Sequence, residues 1–424
     1  MSSESQIQLD PPEFTEVAGS GAGSGQSGLH MPMSRVISTP QSIVSTIGED
    51  FTEALKQTQT HQELEVEDEI TPLHLTFWKP QNIMSVEDTP FSNRYLVALL
   101  VIAFSVPGNL ARISLQKLTN YNNSYINYSG GTVVWVNFAA CFVMAWCNNS
   151  VEFWALVLRN TEKKNMKQLA LHTGITAGFC GTFSTLSSSI VEIFFKTIDI
   201  VQMELPNNGY KVSEFFAVVL VTFGMPFFGH SLGKQFALLC DTIIVPKVSK
   251  WVTYKTIRVL ELFFACLGIA AMIANLVLTC TLSVNYWYKE SYSFCILVGA
   301  FGSLLRFKLS QFNGRGFRSW FPTGTLMANI LGSSFIAILQ LLIHGLQSDG
   351  HRLISNTVHQ FVLNGFSTGF CGSLTTMSSF VNELYNLDYP LYQHIYFWCT
   401  FMPCFLIVLL IDGSYDWTRG LLHV

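Results

Sequence analysis

Gly369-Phe370-Cys371-Gly372-Ser373-Leu374-Thr375-Thr376-Met377-Ser378-Ser379-Phe380-Val381-Asn382-Glu383 lies inside an apolar segment, yet it is dense in glycine, serine and threonine. The chain carries it twice. The earlier copy, Gly178-Phe179-Cys180-Gly181-Thr182-Phe183-Ser184-Thr185-Leu186-Ser187-Ser188-Ser189-Ile190-Val191-Glu192, shares 8 of 15 positions. Lipid cannot satisfy freed backbone groups, so a glycine-broken polar segment at membrane depth must face water, an ion or a packed protein surface. Two copies in one chain point to an internal repeat, a plan common in transport proteins.

The composition supports the membrane setting. Of 424 residues, 49% are hydrophobic and 12% charged, against about 25% charged in soluble domains. The net charge of −4 conceals a division. Residues 1–90 hold 14 acidic and 3 basic side chains, and the remainder holds 14 and 21. The first part reads as a polar, acidic, disordered cytoplasmic tail, with a Gly/Ser linker at 19–28 rather than a nucleotide loop. No apolar core of a cleavable signal occurs in the first 30 residues. The 10 cysteines form no CxxC pair and no metal-ligand spacing, and read as buried thiols. Walker, HExxH and GxSxG motifs are absent, as is any nucleic-acid signature, so enzyme and nucleic-acid readings have no support.

Nine apolar segments of spanning length follow, at about 95–112, 132–156, 168–195, 213–240, 258–284, 292–310, 322–345, 354–384 and 390–411. The fold expected is an all-α polytopic membrane protein. Arg159, Lys163, Lys164 and Lys167 crowd the second loop, Lys247, Lys250, Lys255 and Arg258 the fourth, and Arg306, Lys308, Arg315 and Arg318 the sixth. Basic even loops place themselves and the N-terminus in the cytoplasm, and the C-terminus outside. Sequons at Asn122 and Asn127 agree with an external first loop.

Further landmarks repeat in order. Gly108 to Arg112 matches Gly302 to Arg306, and Gly131-Thr132 leading to Asn137 matches Gly324-Thr325 leading to Asn329. Met225-Pro226 matches Met402-Pro403. The organisation expected is a tail (1–90), a four-helix repeat (91–245), a linker with one transmembrane helix (246–285) and a second four-helix repeat (286–424). The single linking helix inverts the second unit, so the two repeats lie antiparallel.

Within this frame, several residues are candidates for handling an anion. Arg112 and Arg306 stand at matching helix ends, where an arginine either faces a cavity or snorkels to the interface. Asn137 and Asn329 lie mid-helix and must hydrogen-bond, to an ion or to a neighbouring helix. Thr375, Thr376, Ser378 and Ser379 offer hydroxyl donors without a trapping charge, or pack as small residues. Carbonyls freed at the break could hold a cation. The edge of Phe380 carries partial positive charge and can face an anion.

The Gly-Phe-Cys-Gly-x-x-(Thr/Ser)-Thr-x-Ser-(Ser/Thr) runs, preceded by Gly-x-x-x-Arg and Gly-Thr…Asn helices, resemble the Fluc/FEX fluoride channel family over residues 91–424. Two halves joined by one helix resemble its fungal single-chain form. The resemblance implies passive export of fluoride across the plasma membrane by a monomer, its partners being the fluoride ion and the lipid bilayer. Pore positions then fall on Asn329 and Asn137, and on Arg306 and Arg112. A polar track falls on Ser378 and Ser379, with Ser187 and Ser188 opposite, and with Thr376 alongside. A structural sodium ion would be held by main-chain oxygens of Gly181, Ser184, Gly372 and Thr375. The two pore phenylalanines of the motif fall on Met377 and Phe380 in the second half, but on Leu186 and Ser189 in the first. One pore would therefore pair Leu186 with Phe380, and the other would pair Met377 with Ser189 and hold no ring. One working pore is expected. Two other readings are a coupled transporter of a small anion and a membrane scaffold.

Overall fold

The computed structural model describes residues 92–121, 133–159, 165–198, 207, 209–283, 286–314 and 319–422, which all fall in one compact unit, Pro80–Val424. The acidic tail, the sequons, Gly131-Thr132 and the loop residues Lys163, Lys164, Arg315 and Arg318 lie outside the described residues.

Helices dominate. We label them α1 (Ser92–Thr119), α2 (Val134–Asn149), α3 (Val151–Leu158), α4 (Ser187–Thr197), α5 (Tyr210–Ile243), α6 (Tyr254–Thr281), α7 (Phe294–Ser310), α8 (Thr323–His344), α9 (Thr357–Asn364), α10 (Met377–Tyr385) and α11 (Pro390–Val408). Among the described residues, extended pairing is limited to the isolated bridges Gly345–Leu421 and Leu346–Arg352.

Among the described residues, seven helices are long and apolar enough to cross a membrane, and the α2–α3 pair, bent by 49°, makes up to eight. Eight of the nine expected segments are thereby matched. The ninth, 354–384, is not among these spans. It is also interrupted, as α9, a π turn at Gly365–Cys371, a short helix at Gly372–Leu374 and then α10. The first copy has the same anatomy, with a π turn at Gly174–Cys180, a short helix at Gly181–Phe183 and then α4. A π turn adds a residue to the helical ring and commonly marks a functional position.

The surface pattern is that of a lipid-facing bundle. Large apolar side chains such as Leu220, Phe263, Ile273, Phe301 and Leu410 lie exposed on the long helices, whereas buried polar groups converge inside. The largest apolar cluster gathers Leu186, Ile190, Phe194, Ile336, Met377, Phe380, Tyr396 and Phe401 from both sequence halves.

The linking helix α6 is pinned by its two buried polar residues, Glu261 and Asn275. Glu261, fully buried, accepts from Leu171 N (2.9 Å) and pairs with Arg258 (3.0 Å). Asn275 donates to Ser293 O (2.8 Å) and accepts from Tyr288 OH (2.9 Å). Each polar group is satisfied by a neighbouring segment, as a span held in place by packing requires.

Candidate functional site

Each glycine-broken element is split by extended backbone. Ser184 (φ −84°, ψ 157°) ends the first short helix and Thr375 (φ −85°, ψ 155°) ends the second. Such a break frees amides that must find partners at membrane depth. The mid-helix asparagines supply them. Asn137 Oδ1 accepts from Thr185 N (2.9 Å), and Asn329 Oδ1 accepts from Thr376 N (2.9 Å). Half of each asparagine is therefore structural.

The other half of the amide differs between the copies. Asn137 Nδ2 donates to Thr185 O (3.0 Å) and to Ser189 Oγ (2.8 Å). Asn329 Nδ2 is fully buried and makes no hydrogen bond. At the position matching Ser189 stands Phe380, which has no acceptor to offer. The half that has the ring is thus also the half whose amide donor is free.

The two breaks meet face to face and exchange hydroxyl contacts in matching sets. Ser184 Oγ donates to Ser378 Oγ (2.9 Å), lies 3.1 Å from Thr376 Oγ1 and accepts from Ser378 N (3.0 Å). Thr375 Oγ1 lies 2.9 Å from Ser187 Oγ and 3.2 Å from Thr185 Oγ1, and accepts from Ser187 N (3.2 Å). Ser188 and Ser379 are the half-buried members, their hydroxyls accepting from Thr185 (3.2 Å) and Thr376 (3.3 Å). Hydroxyls that donate and accept in turn form a belt with no net charge.

The arginines lie inside their helices, because α1 continues to Thr119 and α7 to Ser310. They are 1% and 3% exposed, so neither snorkels. Arg112 donates to Thr182 O (2.8 Å), Thr368 O (2.5 Å) and Asn109 Oδ1 (2.5 Å). Arg306 donates to Ser373 O (2.6 Å) and to the carbonyls of Gly181 and Ala177. Each guanidinium therefore ties its own half's short helix to the other half's broken element. Glycine is required beneath each head. A Cβ at Gly372 would lie 2.6 Å from Arg112 Nη1, and one at Gly181 would overlap Arg306.

This geometry bears on the oxygens assigned to sodium. Main-chain carbonyls are hard ligands suited to a small cation, and no cluster of three or more acidic, histidine or cysteine ligands exists among the described residues. The carbonyl of Gly181, however, already accepts from Arg306. A sodium ion at that oxygen would have to share it with a guanidinium.

Leu186, Met377, Ser189 and Phe380 are all fully buried. The ring of Phe380 lies 5.2 Å from that of Tyr396 and 6.0 Å from that of Phe397. Tyr396 donates to Glu383 Oε2 (2.6 Å), and Glu383 Oε1 accepts from Thr325 (2.6 Å) and Asn313 (2.9 Å). Tyr396, with Thr400 one turn further on, forms a polar stripe on α11 that the sequence reading missed. The signal was there, as a four-residue spacing of Tyr396, Thr400 and Cys404 in an otherwise apolar helix. The counterparts in the first half, at the Met-Pro offset, are Val219, Phe223 and Phe227, all apolar.

A family model described as CrcB-like protein, Camphor Resistance (CrcB), matches residues 99–229 and 293–411. The chain is similar to fluoride export protein 1 of Candida albicans, 38% identical over 331 residues, covering 77% of this chain and 82% of that protein. It is 25% identical over 360 residues to fluoride export protein 1 of Saccharomyces cerevisiae, covering 75% and 92%. It is 36% identical over 96 residues to the fluoride-specific ion channel FluC of Opitutus terrae, covering 23% of this chain and 67% of that protein. No solved structure matches.

Proposed function

The chain belongs to the CrcB-like protein family, and on that premise we propose that it is a passive, fluoride-selective anion channel that exports cytosolic fluoride. Both fungal relatives bear the name fluoride export protein. The observation in the site that carries the reading is the Asn329 amide, a buried N–H donor left without a partner beside the neutral hydroxyl belt. Hydroxyl, amide and ring-edge contacts can replace the water of a small anion without trapping it. An inside-negative potential drives the anion outward by about 2.3 kcal/mol per charge per 100 mV, so no fuel is needed.

The layout we propose is nine spans, with repeats at 91–245 and 286–424 related by an in-plane axis and joined by a linker, 246–285, that contains α6. Matched contact sets around Ser184 and Thr375, and around Arg112 and Arg306, support it. Because one chain brings both breaks together, a monomer suffices. The plasma membrane is the proposed location, with Arg159, Lys167, Lys247, Lys250 and Lys308 on the cytoplasmic side and the C-terminus outside. One pore works, the one holding Leu186 and Phe380. The Met377–Ser189 side lacks a ring, and its asparagine donor is already engaged by Ser189.

The deciding experiment is fluoride-electrode efflux from liposomes containing the purified chain. Release that begins only when a potassium ionophore shunts the membrane potential is the expected result. Proton-coupled release without the ionophore would sink the channel reading. We propose also that a sodium ion bound by Gly181, Ser184, Gly372 and Thr375 oxygens holds the repeats together. Exchange of sodium for N-methylglucamine is then expected to lower the melting temperature. An unchanged value would leave the two guanidinium groups as the only cations of this centre.

A further inference from the structure

A second donor shares the face of α8 that presents Asn329. Ser333 Oγ is fully buried and has no nitrogen or oxygen partner, as is true of Asn329 Nδ2. The two residues are four apart, so their side chains are neighbours on one helix face. Asn329 cannot turn its amide over, because its Oδ1 is held by Thr376 N. The Cys404 thiol of α11 is within hydrogen-bonding reach of the Ser333 hydroxyl, but sulfur is a weak acceptor that a small, hard anion would displace.

Two donors without a strong acceptor on one buried face are costly, and native structures explain such groups by an occupant. The other half has neither. The residue matching Ser333, at the offset that relates Asn137 to Asn329, is Cys141, which is buried in the apolar cluster. We propose that Ser333 is a second anion donor, and that its hydroxyl and the Asn329 amide form one dehydrated site for a small monovalent anion on the Phe380 side. The proposal rests on the channel reading above and names a residue that this reading does not require. An N–H and an O–H on adjacent turns suit a small, hard acceptor. The thiol at Cys141 is a second reason for the other side to be silent.

The test uses the full purified chain. Ser333→Ala is expected to lower fluoride efflux from liposomes by about 10- to 100-fold, the range for a hydrogen bond to a charged group. Ser333→Cys, of similar size with a weaker donor, should fall between. Cys141→Ala should conduct as the parent does. As a binding readout, sodium fluoride at matched ionic strength should raise the melting temperature of the parent and have less effect on Ser333→Ala. Parent-like efflux from Ser333→Ala, or a loss that merely tracks a lowered melting temperature without fluoride, would overturn the proposal. A parent chain that passes no fluoride would instead overturn the channel reading itself.

Discussion

Asn329→Asp removes fluoride efflux, by about 100-fold or more, while the protein still reaches a folded, monodisperse state. The carboxylate keeps an acceptor for Thr376 N, the contact that seals the break. It loses the N–H donor that an anion would meet and adds a negative charge at membrane depth. Loss of a hydrogen bond to an ion is worth about 1.5–3 kcal/mol, and repulsion of a like charge adds to it. About 1.4 kcal/mol corresponds to a tenfold change in rate. Asn137→Ala gives the opposite pattern. It removes a donor that Ser189 and Thr185 already occupy, and it strands Thr185 N. Its cost therefore falls on stability, about 1–3 kcal/mol for a buried group left unsatisfied, and flux per folded molecule persists. Efflux assays on both variants, normalised to folded protein, make the comparison. Equal flux loss from the two would contradict a single working pore.

The sequence made the membrane class, the duplication and the broken elements legible, because each is written in local composition. Gly181 and Gly372 with their neighbouring hydroxyls cannot be placed against lipid, so the two breaks had to find one another. What the arginines do was not legible. Arg112 and Arg306 looked like helix ends because polar residues follow them, but α1 and α7 run on for another turn or more. Their partners are main-chain carbonyls, which no side-chain pattern announces. The asparagine pair shows the same limit. Both copies read alike, yet the amide donor is engaged by Thr185 O and Ser189 in one half and is free in the half that carries Phe380. Tyr396 and Thr400 were hidden for a different reason, because single polar residues four apart in an apolar helix read equally well as packing.

Arg306→Ala carries the largest expected cost in stability. Its guanidinium serves the carbonyls of Ala177, Gly181 and Ser373, two of them in the opposite half. A buried polar group that loses its partner costs about 1–3 kcal/mol, so three carbonyls deprived of this donor together cost about 3 kcal/mol or more. The first effect is on docking of the halves, seen as a lowered melting temperature and loss of a monodisperse peak in detergent. Arg306→Lys is expected to recover only part of the loss, since an ammonium on a flexible stem cannot present the planar fan of donors that reaches three acceptors. Gly181 sharpens the test. A methyl there collides with the guanidinium, so Gly181→Ala should destabilise the parent chain but cost less in the Arg306→Ala background. Residues in direct contact couple in this way, typically by about 0.5–3 kcal/mol. Additive losses in the double variant would mean that Gly181 is glycine for its backbone alone, and that Arg306 does not bridge the two breaks.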